Sequence, residues 1–151
     1  MIKQNFWSST IHYKLNVDGV IFAQSQQFGV GVIIWDHEGK VTSYNSTKQR
    51  NSLTIGALEI EAKAMEVGVS FPWDVGIRDV VFECDSKIVS DTLLGLCTAP
   101  VIVSNILVGI VHKLQNFRLA QVSHVKQQGN RPTNLLAEHA KEIDHNSNYV
   151  T

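Results

Sequence analysis

The order of elements in this chain predicts an α/β protein with a mixed sheet and helices on both faces. Three observations carry that expectation. Alternation and continuous apolar runs dominate the first third, and helical spacing interleaved with short β-rich runs fills the rest. The length, 151 residues, suffices for one domain with a real core and is too short for two of ordinary size.

Each element has a local reason. Tyr13, Leu15 and Val17 alternate with Lys14, Asn16 and Asp18, a strand pattern expected to stop at Gly19. Phe28 to Trp35 is an almost unbroken apolar run closed by Asp36-His37-Glu38-Gly39, which has hairpin-turn chemistry, and Val41 to Thr47 returns. Three consecutive antiparallel strands are the natural reading. Leu58 to Ser70 has helical spacing and is expected to end before Pro72. Asp79 to Cys84 is a β-rich run, and Ser86 to Leu96 an amphipathic helix. Pro100 opens a third helix whose stripe is Val103, Ile106, Leu107, Ile110, Val111, Leu114 and Phe117. Ala120 to Val125 is the last expected strand, and Pro132 opens a helix to about Ile143. Residues 1–11 read as an N-terminal extension in which Phe6 and Trp7 cap the core, and 144–151 as a flexible polar tail.

Composition excludes several classes. The chain is 44% hydrophobic with a net charge of −1, which is incompatible with disorder. Cys84 and Cys97 alone give neither a disulfide framework nor a four-cysteine zinc site. Met1 to Lys14 lacks a signal-like apolar run, and Val101 to Val111 is too short for a bilayer and is interrupted by Ser104 and Asn105. The sequon at Asn45-Ser46-Thr47 is therefore read as chance, and a soluble, intracellular protein with no membrane association is expected. No Gly-rich phosphate loop with Lys-Ser or Lys-Thr occurs, and the histidines lack ligand spacing.

Three carboxylates stand out. Glu59, Lys63 and Glu66 share one face of their helix as a solvated stripe, whereas Glu61 lies about 200° from Glu59, beside Leu58, Ala64, Met65 and Gly68. A carboxylate on that small-residue side is costly unless paired; the alternative is an acid at the edge of the stripe reaching water. Asp18 and Asp85 both stand at expected strand ends, where open α/β sheets gather functional groups. Taken singly, Asp85 also reads as a helix N-cap and Asp18 as a turn residue. Together, three acids without a neighbouring cation fit a divalent-metal site of hard oxygen ligands.

Five short motifs then fall in order: Asn16-Val17-Asp18-Gly19; Gly29-Val30-Gly31-Val32-Ile33-Ile34-Trp35-Asp36; Glu61-Ala62-Lys63-Ala64-Met65; Glu83-Cys84-Asp85-Ser86; and His124-Val125 with Gly129-Asn130-Arg131. They resemble the successive signatures of the ribonuclease H fold. More narrowly, they are similar to plant RNase H-like domains related to those of non-LTR retrotransposons, over residues 12–143. The resemblance implies a five-stranded mixed sheet, three antiparallel strands then two parallel. It also implies hydrolysis of the RNA strand of RNA–DNA hybrids by two Mg²⁺ ions, with Mn²⁺ as substitute. Asp18 matches the first metal-binding aspartate, Glu61 the helix glutamate and Asp85 the second aspartate.

The family's fourth acidic position is Asn134 here, which keeps the shape and one oxygen but not the charge. The loop before it reads Lys126-Gln127-Gln128, where active relatives often place a proton-shuttling His; His124 lies within the strand and reads as structural. A non-catalytic module that binds nucleic acid or a protein partner is the alternative function. Residues 51–100 carry eight acids and three bases, a balance of −5, against +2 in each flanking third. The acidity lies in the segment holding Glu61 and Asp85, where bound Mg²⁺ offsets part of it. Nucleic-acid affinity should thus be weak, salt-sensitive and metal-dependent.

Overall fold

The hairpin that opens the sheet shows how its strands are set. In the computed structural model, which describes residues 2–4, 11–50, 56–142 and 147–150, β2 (Tyr13–Phe22) pairs antiparallel with β3 (Gln27–Asp36), and β3 with β4 (Val41–Arg50). The β3–β4 turn is built by Asp36, whose Oδ1 accepts the backbone N–H groups of Glu38 and Lys40 at 2.9 Å each. β5 (Asp79–Cys84) lies parallel to β2, and β6 (Leu119–His124) parallel to β5. These five strands form the expected mixed sheet, three antiparallel and then two parallel.

Two short strands extend it. β1 (Ile2–Gln4) adds parallel to β6, and β7 (Ser147–Val150) adds antiparallel to β4 at Ser43–Ser46, giving the order β1-β6-β5-β2-β3-β4-β7. Part of the segment expected as a flexible tail is thus a hydrogen-bonded strand. Phe6 and Trp7, expected to cap the core, lie outside the described residues.

Helices cover both faces. On one, α1 (Ala57–Asp74), α2 (Lys87–Leu93) and α3 (Ser104–Gln115) bury Met65, Val69, Val89, Leu107, Ile110 and Leu114 against Leu15, Val17, Val32, Phe82 and Val122. The apolar stripe read for the third helix faces this core, Val103, Leu107, Ile110, Leu114 and Phe117 being buried. On the other face lies α4 (Arg131–His139), which stops short of Ile143.

Three boundary expectations are corrected. β2 does not stop at Gly19 but continues to Phe22, so Asp18 stands within the strand. Gly19 is required there because α1 packs so close that a Cβ would come within 2.6 Å of Ile60 Cγ2. Pro72 does not end α1: it costs one ladder bond near the helix end, while Phe71 and Pro72 are buried and Ile77 N–H closes onto Pro72 O at 2.9 Å. Finally, α2 is shorter than expected, and a 3-10 turn at Val101–Val103 separates Pro100 from α3.

Candidate metal centre

The parallel register between β2 and β5 explains why distant acids meet. Asn16 pairs with Glu83, and the same register carried two residues on brings Asp18 level with Asp85. Alternation along β2 turns Gly19 toward α1 and Asp18 toward α4, and Glu61 reaches the same point from the second turn of α1. Ligand oxygens of Asp18, Glu61 and Asp85 lie within 4.8 Å of one another. The floor of an open cleft of about 540 Å³ is formed by these acids with Gly19, Ala57, Leu58, Ser86, Ile88, Gln127 and Asn134.

Each acid has its own support. Asp18 is 3% exposed; its Oδ1 accepts Gly19 N–H and its Oδ2 accepts an amide hydrogen of Asn134, both at 2.9 Å. Asp85 is not the N-cap of α2. That role belongs to Ser86, whose Oγ accepts Val89 N–H at 3.3 Å, leaving the Asp85 carboxylate to the cleft. The Asp85 carbonyl accepts from His124 Nε2 at 3.1 Å.

α4 is held hard against the sheet, which sets Asn134. A Cβ on Gly31 would fall 2.4 Å from Thr133 O, so only glycine lets the helix approach. Asn130 Nδ2 donates to Val17 O and Ser46 Oγ to Leu136 O, both at 2.9 Å.

The electrostatics are those of crowded like charges. Burial, then the charges of Asp18 and Asp85, push the Glu61 carboxyl up to about 9. Burial also raises Asp18, opposed by the amide hydrogen bond from Asn134. Among the described residues, no Lys or Arg comes within ion-pair distance of the three acids. Clustered anionic oxygens of this kind suit a hard divalent cation such as Mg²⁺ or Mn²⁺, which would relieve that repulsion.

All four positions singled out from the sequence are therefore brought together: Asp18, Glu61, Asp85 and Asn134. The supporting parts were not foreseen. His124 reads as structural, yet its ring holds the backbone of Asp85; only the β5–β6 register, Cys84 beside His124, reveals that contact. Ser86 as cap was equally legible as Asp85, since both are good N-cap residues. Cys84 is 2% exposed and faces the core.

Comparison places the fold among ribonucleases H. RNase H1 of Halobacterium salinarum superposes with a TM-score of 0.77 at 19% identity, covering 86% of this chain and 97% of that one. The N-terminal RNase H domain of a Mycobacterium tuberculosis protein, solved as a maltose-binding-protein fusion, gives 0.74 at 16%, covering 88% and 95%. LC11-RNase H1, isolated from compost and solved in complex with an RNA/DNA hybrid, gives 0.75 at 15%, covering 86% and 96%. No curated protein matches the chain by sequence. The family model described as reverse transcriptase-like matches residues 16–140, most of the chain and every acid of the centre, and the chain therefore belongs to the reverse transcriptase-like family.

Proposed function

We propose that the chain is a metal-dependent endonuclease of RNase H type, hydrolysing the RNA strand of RNA–DNA hybrids by two-metal chemistry. The observation that carries this is the meeting of Asp18, Glu61 and Asp85, from three separate elements, within 4.8 Å of one another. Asp18, Glu61 and Asp85 would hold Mg²⁺, with Mn²⁺ as substitute. When bound, the metal supplies Lewis acidity toward the attacking water and the leaving oxygen.

The chain's own residues supply placement. Gly19 N–H and the Asn134 amide hold Asp18 from two sides, and His124 steadies the backbone of Asp85. Gln127, which also lines the cleft, would offer an amide to the sugar–phosphate backbone of the hybrid. The LC11 relative's complex with a hybrid supports this substrate class. The narrower kinship, with plant domains related to non-LTR retrotransposons, rests on the five sequence motifs and belongs to the same proposal. Among the described residues, no helix is long and apolar enough to cross a membrane.

Asn134 favours a second reading, a non-catalytic module that binds nucleic acid or a protein partner, because a neutral amide stands where the resemblance implies an acid. One assay separates the two. A labelled RNA–DNA hybrid is incubated in Mg²⁺ and in Mn²⁺ with the wild-type protein and with Asp85→Asn. The nuclease reading expects cleavage by the wild type and none by the variant. A hybrid bound but left intact in both ions would establish the module instead, and equal cleavage by both proteins would assign the activity to a contaminant.

A further inference from the structure

We infer that Asn134 limits the protein, free of nucleic acid, to one divalent ion, held by Asp18, Glu61 and Asp85. The inference rests on the metal-dependent reading above and concerns how many ions the chain's own residues can hold.

Geometry and donor chemistry lead there together. Cis ligands of a Mg²⁺ ion at ~2.1 Å stand about 3 Å apart. Asn134 Nδ2 lies 2.9 Å from Asp18 Oδ2, the spacing that two ligands of a shared ion would have. The atom at that place is an N–H donor, however, and its hydrogen points at the carboxylate oxygen that a second ion would have to use. An amide nitrogen with both hydrogens is no ligand for a hard cation.

Two ways round this are closed. Turning the amide over would set its oxygen against Asp18 Oδ2, removing a charge-assisted hydrogen bond and adding repulsion beside two further carboxylates. Moving α4 away would break its ties to the sheet: Asn130 donates to Val17 O and Leu136 O accepts from Ser46, each at 2.9 Å, while Thr133 O packs onto Gly31 with no room for a Cβ. Asn134 is thus a positioning residue. It orients Asp18 toward Glu61 and Asp85 and, until the phosphate oxygens of a bound hybrid supply further ligands, keeps the opposite side of Asp18 closed to metal. An acid at the same place would reverse both effects, since two facing carboxylates repel each other until a cation lies between them.

The test counts ions without nucleic acid and without activity. Mn²⁺ is titrated by calorimetry into the wild type, Asn134→Asp and Asp85→Asn, and each loaded protein is examined by electron paramagnetic resonance. The wild type should take one ion and give the spectrum of an isolated Mn²⁺. Asn134→Asp should take two and show spin coupling, with its second ion bound at least about tenfold more tightly than any second ion in the wild type. Asp85→Asn should lose the single ion. Two ions of comparable affinity in the wild type, or a single ion in folded Asn134→Asp, would overturn the inference and leave the metal-dependent reading standing. No Mn²⁺ bound by wild type or variant at millimolar concentration would remove that reading and the inference with it. Should Asn134→Asp fail to fold, the wild-type count and its spectrum still decide.

Discussion

The two ends of β5 treat their aspartates in opposite ways. At the start of the strand Asp79, 5% exposed, is gripped by Arg118, whose Nε donates to Oδ1 at 2.7 Å and whose Nη2 donates to Oδ2. Further along, Glu83 accepts from Asn16 Nδ2 at 3.1 Å and has Lys14 Nζ at 3.8 Å. Just past the other end, the Asp85 carboxylate gathers with those of Asp18 and Glu61. The same fold that matches carboxylates with cations along the strand gathers three of them at its exit with no Lys or Arg in ion-pair distance among the described residues. Packing does not require this, because a well-seated hydrophobic or amide group of similar size would cost less than clustered buried carboxylates. The difference separates a charge paired within the fold from charges that packing does not call for, which is what the proposed metal site expects.

Substitution at the exit should produce the largest effect. Asp85→Asn keeps the shape of the side chain and removes a carboxylate charge from the cluster. Cleavage of a hybrid in Mg²⁺ should fall by more than the roughly 10–100-fold that changes in outer-shell partners of a metal cause. Melting of the metal-free protein should meanwhile stay level or rise, because a like charge has been withdrawn from the cluster. A variant that melts well below the wild type without metal would show that Asp85 is as structural as Asp79, and the contrast between the two ends would be gone.

How much of this contrast could be read from the sequence depends on the range of the cause. Glu61 was legible because it breaks the pattern of its own helix, sitting among Leu58, Ala64, Met65 and Gly68. Asp85 was legible because it follows a β-rich run. Gly19 was misread as a strand stop, since a turn glycine and a glycine that admits a neighbouring helix look alike until Ile60 is packed against it. Pro72 misled for a related reason: local chemistry ends the helix, and burial of Phe71 and Pro72 carries it on. The pairing of 147–150 with β4 joins polar segments about a hundred residues apart by backbone hydrogen bonds, which leave no apolar pattern to read. At position 134 the sequence showed the missing charge. That the amide turns its hydrogen to Asp18 follows only from the seating of α4.

Thermal melting sharpens the comparison from both ends. A divalent ion that binds only the folded cluster stabilises it by mass action, about 2.7 kcal/mol at a hundred times its dissociation constant. For a chain of this size that corresponds to a rise of roughly 5–10 °C in Tm. The wild type should show the rise with Mg²⁺ or Mn²⁺, and Asp85→Asn should lose most of it. Arg118→Ala should behave conversely. It leaves the buried Asp79 carboxylate unpaired and, discounted because the Arg118 side chain is itself 76% exposed, should lower Tm by about 3–6 °C, while the rise on adding metal stays intact. Loss of the metal-induced rise in Arg118→Ala would mean that the two ends of β5 are coupled.

The effect that speaks most directly to the exit is the pH dependence of stability without metal. Burial and the neighbouring Asp18 and Asp85 charges hold the Glu61 carboxyl at about 9, against roughly 4.3 in an unfolded chain. Between those limits the folded protein keeps a proton that the unfolded chain has released, so stability must fall as pH rises. The contribution is complete below the unfolded value and is lost as pH climbs to about 9; Asp18, also raised, acts in the same direction. Asp36 acts oppositely, because the Lys40 N–H hydrogen bond lowers its pKa, but its contribution is lost only as pH falls through the acidic range. In EDTA the wild-type Tm should therefore decline between pH 6 and pH 9, and Glu61→Gln, which cannot titrate, should flatten much of that decline. Metal displaces the Glu61 proton, so the rise in Tm on adding Mg²⁺ should be larger at pH 8.5 than at pH 6. A wild-type Tm in EDTA that climbs over this range would mean that Glu61 is already ionised and compensated without metal, and that the acids at the exit of β5 are paired after all.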